Sequence, residues 1–248
     1  MMHCNTNTDA PLGRVHSIQT LATLDGPGVR YAVFLQGCPL RCGCCHNPDT
    51  WAFEGGKLYS AATLATNALR YREYFGNTGG VTLSGGEPLL QAEFSEAFFR
   101  LAKEAGLNTC LDTSGCLLND GVKALLSVCD RVMLDVKYPT DALYREHVGC
   151  SIDAPLAFLD YLEEQNVKTT LRTVLIPTLN DTKEHEEFLS SLVKAHACID
   201  AVEVLPFRKL CTVKYDKMGI PFPFADIPEG KGQAAKEMQE RLQNKLNK

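Results

Sequence analysis

The sequence has no apolar run near the ~18 residues that a membrane-spanning helix needs, so no span is expected. It has no excess of basic residues either. Its 25 lysines and arginines stand against 30 aspartates and glutamates, and a net charge of −5 offers no counterion-displacing surface for DNA or RNA. The opening residues, MMHCNTNTDAPLG, lack the charged and apolar regions of a signal peptide, and a cytoplasmic protein is expected. Internal repeats, low-complexity tracts and long linkers are missing. With 248 residues, 45% apolar and 22% charged, the expectation is one domain over residues 1–248, flexible over 1–12 and closed by a helix over about 233–247.

Cysteine is what the sequence has in excess. There are 11, an odd number, in a chain far larger than a disulfide-stapled domain. In a reducing compartment such thiols are metal ligands or plain buried residues rather than bridges. Cys4, Cys110, Cys116, Cys129, Cys150, Cys198 and Cys211 lie well apart and are read as small buried hydrophobes. The other four crowd into GCPLRCGCCHNPDTW. Cys38, Cys42 and Cys45 form C-x3-C-x2-C, compact enough to turn three thiolates toward one iron–sulfur cluster. A structural zinc site calls for four closed ligands, usually in two separated pairs, and no second CxxC pair exists. His46 adjoins Cys45, and neighbouring side chains diverge too much to ligate one ion easily. Three ligands on a four-iron cluster leave one iron open to a substrate or cofactor. Cys44 forms C-x-C with Cys42, so a triad of Cys38, Cys42 and Cys44 stays open on spacing. The spacing through Cys45 is the familiar one and is preferred.

Beyond the cysteines, short β-rich runs alternate with helical ones. Strands are read in RYAVFLQG, GGVTLSGG, NTCLDTSG, DRVMLDVKY, TTLRTVLIP and IDAVEVLPF. Between them LLQAEFSEAFFRLAKEAG places Leu90, Phe94, Ala97, Phe98, Leu101 and Ala105 at helical spacing before Gly106. Such alternation means right-handed βαβ units, and six of them give an α/β fold: an open partial (β/α)6 barrel of parallel strands with outer helices. Candidate site residues fall near strand C-termini, the rim where barrels of parallel strands bind ligands. SGGEP (residues 84–88), Asp112 with Thr113, Asp135 with Lys137, Arg172 and LPFRK all meet there. Their chemistry suits a zwitterion. Gly85 and Gly86 admit a ligand close to backbone amide and carbonyl groups. Glu87 favours an ammonium, while Lys137 and Arg172 meet a carboxylate.

GRVHSIQTLATLDGPGVRYAVFLQGC, CHNPDTW, GGVTLSGGEPLLQAEF, TCLDTSG and DRVMLDVK together resemble the radical S-adenosylmethionine enzymes. More narrowly they resemble the oxidoreductases that install a glycyl radical on a partner enzyme. The match runs from about Gly13 to about Leu210 in order and spacing. It implies a 4Fe–4S cluster on Cys38, Cys42 and Cys45, with its open iron chelating S-adenosylmethionine. In the family, reductive cleavage of that cofactor yields a 5′-deoxyadenosyl radical, which takes hydrogen from a backbone glycine of the partner. Cofactor contacts are implied at Cys44, Cys45, His46, Gly85, Gly86, Glu87, Asp135, Val136, Lys137, Arg172 and Arg208. A monovalent cation is implied at Asp112, Thr113, Met133 and Asp135, and contact with the partner's glycine loop at Asp25. No cysteine lies between Cys45 and Gly85, where other activases carry a ferredoxin-like insert. A partner of the pyruvate formate-lyase kind is therefore expected, with flavodoxin or ferredoxin as electron donor. Lys236, Lys245 and Lys248 of the last helix are read as a solvated face on which an acidic donor could dock.

Three positions depart from the family pattern. Cys44 replaces an aromatic residue, Arg208 a histidine near the adenine end, and Phe207 a tyrosine. The rival readings are an activase of a different glycyl radical enzyme, a radical enzyme acting on a small molecule like the deazapurine-forming enzyme, and a non-catalytic iron–sulfur or zinc protein. His16, His147, His185 and His196 are read as surface or packing residues.

Overall fold

The structure, a computed structural model, describes residues 11–246. Cys4, Lys248 and most of the stretch expected to be flexible lie outside the described residues. Leu12, expected within that stretch, instead opens the first strand.

Eight strands form one sheet: β1 (Leu12–Ala22), β2 (Arg30–Leu35), β3 (Lys57–Ser60), β4 (Gly80–Gly85), β5 (Asn108–Thr113), β6 (Arg131–Asp135), β7 (Lys168–Leu175) and β8 (Ile199–Pro206). Their order is β3-β1-β2-β4-β5-β6-β7-β8. From β2 through β8 the neighbours pair in parallel, which gives the six expected strands. The sheet ends on β3 and β8 without closing, so the barrel is open. β1 and β3 are additions, paired antiparallel beside β2. Their signals are faint for physical reasons. β3 has only four residues, and burial along β1 alternates but changes phase at a bulge between Val15 and Ser17, so neither shows one unbroken period of two.

Helices cover the outside. Ala92–Glu104 buries Phe94, Ala97, Phe98, Phe99 and Ala102, each phenyl ring contributing about 1.5–3 kcal/mol by leaving water. It starts later than the spacing suggests. Pro88–Gln91 forms a separate 3-10 turn, and Leu90 stays exposed. Side-chain caps set other starts: Ser60 accepts from Thr63 N, Asn119 from Val122 N and Thr182 from His185 N. The closing helix, Gly232–Leu246, lies along the edge strand β8. Gln239 and Gln243 there accept from the amides of Val204 and Val202, blunting an edge otherwise open to another chain.

Two cores result. The larger lies between sheet and helices. A smaller one gathers Leu40, Cys44, Tyr138, Tyr144, Phe207 and Phe222, with neighbours, against the cysteine loop. Of the dispersed cysteines, Cys110, Cys129, Cys198 and Cys211 are buried as expected, while Cys116 and Cys150 are half-buried beside the smaller core.

Candidate active site

The cysteine loop leaves the C-terminal end of β2 and is tied down at several points. Gly37 N donates to Thr50 O at 2.8 Å and Cys38 N to Trp51 O at 3.3 Å, closing the base of the loop. Its middle rests on the end of the helix Asp141–His147 through Arg41 N to Val148 O at 3.0 Å and Gly43 N to His147 O at 2.9 Å. The Tyr215 hydroxyl donates to Cys45 O at 3.2 Å, and the His46 ring meets Arg208 O at 2.9 Å.

All ten described cysteines are free thiols. Cys38, Cys42 and Cys45 are half-buried and line one cavity of about 470 Å³. Cys44 also touches that cavity but is only 8% exposed and belongs to the smaller core. Burial pushes the Cys38 thiol up to about 12 and that of Cys45 up to about 11. Cys42 is raised too, with Lys137 opposing. Without metal these groups hold their protons, and loading iron releases them. Among the described residues no three Cys, His, Asp or Glu side chains stand in single-ion geometry. A four-iron cluster needs less convergence, because each thiolate takes its own iron.

The ends of three parallel strands, β5, β6 and β7, bring charge into the same cavity. Arg172, on β7, donates through Nη2 to Asp112 and through Nε to Asp135 Oδ1 at 2.6 Å. Lys137 Nζ donates to Asp135 Oδ2 at 2.6 Å, and Ser84 Oγ to Asp112 Oδ2 at 2.7 Å. Burial opposes ionisation of Asp135, yet Arg172 and Lys137 prevail and hold its carboxyl well below the usual range. The two aspartates and two cations balance. Arg172 Nη1 makes no hydrogen bond among the described residues, and Lys137 Nζ makes only one. Both residues line the cavity, so donors remain for a carboxylate.

The turn after β4 carries the complementary group. A Cβ on Gly85, at φ +105°, would lie 2.4 Å from Leu35 N, and one on Gly86 would lie 2.2 Å from Gly37 O. Only glycine lets β4 and the cysteine loop come so close. The amides of Gly86 and Glu87 donate to Leu35 O and Gly37 O, each at 2.8 Å. The expected free amides are therefore engaged, and the Gly86 carbonyl is left as the group that suits an ammonium. Glu87 is engaged as well. Its buried carboxylate accepts from Thr113 Oγ1 at 2.6 Å, Ser114 N at 3.1 Å and Leu89 N at 3.2 Å. It ties the turn to the end of β5 rather than standing free.

The residues that the resemblance implies for a cation lie side by side on β5 and β6, where Asp112 pairs in register with Met133. Asp112 and Asp135 grip Arg172, Thr113 is bonded to Glu87, and Met133 is 2% exposed and outside the cavity lining. Val136 is fully buried in the larger core, its amide donating to Arg172 O. Arg208 lines the cavity and pairs with Glu229 at 3.6 Å, while Phe207 stacks on Phe222. Asp25 does not line the cavity itself. It lies close enough for Asp112 to raise and Arg172 to lower its carboxyl, with burial the larger cause and its direction upward. Its carbonyl accepts from Thr82 Oγ1 at 2.7 Å, and its neighbour Leu24 lines the cavity. Glu203, paired in register with Arg172, was not singled out from sequence. Nor was Asn180, which donates to Lys137 O at 2.7 Å. Alternation along β8 points to the first; nothing local points to the second. A second cavity of about 550 Å³ at the opposite rim holds no thiols and no such convergence.

Comparisons with known proteins agree with this arrangement. The sequence profile of the radical SAM superfamily matches residues 32–192. The pyruvate formate-lyase-activating enzyme of Clostridium pasteurianum is 39% identical over 236 residues, spanning 95% of this chain and 99% of that protein. The pyruvate formate-lyase 1-activating enzyme of Escherichia coli K12 is 37% identical over 238 residues, 95% of each. Among solved structures, Streptococcus suis SuiB bound to S-adenosylmethionine superposes with a TM-score of 0.63 at 16% identity, over 85% of this chain and 45% of that one. The last likeness is one of fold.

Proposed function

The chain belongs to the radical SAM superfamily, and from that premise we propose that it activates pyruvate formate-lyase by installing a glycyl radical. It is an oxidoreductase that uses a 4Fe–4S cluster and S-adenosylmethionine. The observation that carries this reading is the shared cavity, where three half-buried thiols face a charge-balanced set of Lys137, Arg172, Asp112 and Asp135. The donor set fits the cluster: three half-buried thiols of one loop line one cavity, each able to take its own iron. When bound, the cluster and S-adenosylmethionine supply the reducing electron and the carbon radical that takes hydrogen from the partner's glycine.

The remaining work belongs to the chain's own residues. Cys38, Cys42 and Cys45 hold the cluster, while Cys44 packs beneath it. The free donors of Arg172 and Lys137 take the cofactor carboxylate, and the Gly86 carbonyl takes its ammonium. Lys137, Arg172, Asp112 and Asp135 are balanced among themselves, and a zwitterion adds no net charge to them. Glu87, Thr113 and Ser84 act one step back by fixing the turn and the Asp112 carboxylate. Arg208 and His46 close the far rim, at the adenine end. Leu24, 82% exposed, and Leu205 also line the cavity as exposed apolar side chains, and a partner covering them would exclude water from the reacting atoms. Asp25, beside Leu24, meets the glycine-bearing loop. Orientation of this kind contributes at most about 7–11 kcal/mol toward the barrier. Flavodoxin or ferredoxin delivers the electron, and the protein works in the cytoplasm as one domain.

The test is anaerobic. Reconstituted protein reduced with dithionite is given S-adenosylmethionine, with and without pyruvate formate-lyase. Deoxyadenosine together with a glycyl radical EPR doublet on the lyase is the expected result. Deoxyadenosine without the doublet keeps the radical chemistry and rejects the partner. No cleavage by a fully loaded cluster rejects the reading.

A further inference from the structure

Tyr138 follows the charged strand end of β6 directly and is completely buried. Its hydroxyl makes no hydrogen bond, one of only two such buried side-chain polar groups among the described residues. A phenol buried in that way costs about 1–3 kcal/mol against one with a partner. Its surroundings make the omission specific. The ring packs edge-on to Tyr144 at 6.1 Å and lies 5.4 Å from the His147 ring. Those residues belong to the helix end on which Arg41 and Gly43 of the cysteine loop rest. Tyr138 shares the smaller core with Cys44, and Cys38 and Cys42 pack against it. The titratable groups nearest its hydroxyl are the Cys44 thiol, the Lys137 ammonium, the Cys42 thiol and the Tyr144 phenol, and none of them hydrogen-bonds to it. Its neighbour Tyr144 already uses its own hydroxyl oxygen to accept from Lys137 N at 3.0 Å. The donor without an acceptor thus sits under the residues that carry the thiols.

We propose that Tyr138 is a positioning residue for the cluster, its hydroxyl donating to the Cys42 sulfur once that sulfur is an iron-bound thiolate. The proposal rests on the cluster assignment above. Before loading, Cys42 is a neutral thiol and a poor acceptor; the anionic sulfur is a much better one. Hydrogen bonds to cluster sulfurs favour the more negative, reduced state and so raise the reduction potential. Tyr138 therefore makes the cluster easier to reduce while making no contact with cofactor or partner. The unmet hydroxyl is a cost of the empty protein that loading removes.

The test compares the wild type with Tyr138→Phe, and with 3-fluorotyrosine placed at 138, whose more acidic phenol is a stronger donor. Potentials are read by EPR-monitored titration, and exchangeable deuterons near the reduced cluster by ENDOR in D2O. The phenylalanine variant is expected to shift the potential down and lose one coupled deuteron; fluorotyrosine is expected to shift the potential up. Without cluster, Tyr138→Phe is expected to melt no lower than the wild type, since it removes an unpaired hydroxyl. Unchanged potentials and deuteron couplings in all three loaded proteins would overturn the proposal. So would a lower melting point for the empty phenylalanine variant, because the hydroxyl would then already have a partner. Failure of the wild type itself to bind iron would instead reject the cluster assignment. The fluorinated protein keeps the test open if Tyr138→Phe does not fold.

Discussion

Single residues divide the four crowded cysteines into two kinds. Cys38→Ala, Cys42→Ala and Cys45→Ala are each expected to lose the four-iron content and its absorbance, because each removes the one thiolate available to an iron. Cys44→Ala is expected to retain both, at some loss of stability in the smaller core. Iron analysis after anaerobic reconstitution decides it, and an iron-free Cys44→Ala would move the third ligand to that residue. His185 gives a prediction of another sort. Expected as a surface or packing residue, it is wholly buried, with Nε2 3.1 Å from Thr173 Oγ1 and Nδ1 unpartnered. Burial lowers its pKa from 6.5 to about 4. The unfolded chain takes up a proton near pH 6.5 that the folded chain refuses until about pH 4, so stability is present above that window and falls as pH drops through it. The loss amounts to at most about 3 kcal/mol. Urea melts between pH 7 and 4.5 should show a shallower decline for His185→Gln, and an unchanged slope would assign the decline to other groups.

At the scale of elements, the cysteine loop depends on close packing against the segment that follows the helix Thr212–Met218. A Cβ on Gly43 would lie 2.3 Å from the Phe224 ring, which is itself packed among Phe207, Phe222 and His147. Gly43→Ala is therefore expected to displace the loop and lower iron loading several-fold, with the barrel's circular dichroism intact. Adding Phe224→Leu makes room and should restore much of the loading. A double variant no better than the single one would mean that Gly43 matters for its backbone and not for this contact. Most strands were legible at this scale because parallel strands, buried on both faces, read as apolar runs between turns. β1, β3 and the short 3-10 turn before Ala92 were not, since two are too short and the third changes phase at a bulge.

For the whole molecule, the two cores predict uneven stability. The larger core is independent of the cysteine loop, whereas the smaller one is completed by it. Removing the cluster is expected to increase amide hydrogen exchange over residues 38–51 and 207–227 while β4 to β7 keep their protection. Hydrogen-exchange mass spectrometry of loaded and empty protein checks this. Loss of protection across the entire sheet would show instead that the cluster supports the global fold.

What the sequence determined by itself is the chemistry and the order in which it arrives: the spacing of Cys38, Cys42 and Cys45, the glycine pair before Glu87, and charges at the ends of strands. Those are local facts, because cysteine spacing and strand periodicity act over a few residues. Which groups remain free was decided only by the tertiary structure. Glu87, Thr113 and the amides of Gly86 and Glu87 look available in sequence but are engaged across the barrel. Arg172 occupies both aspartates from a third strand, and Tyr138 is left without a partner beneath the loop. Hydrogen bonds are saturable and directional, so whether a polar group is available depends on neighbours tens of residues away. No local pattern records that.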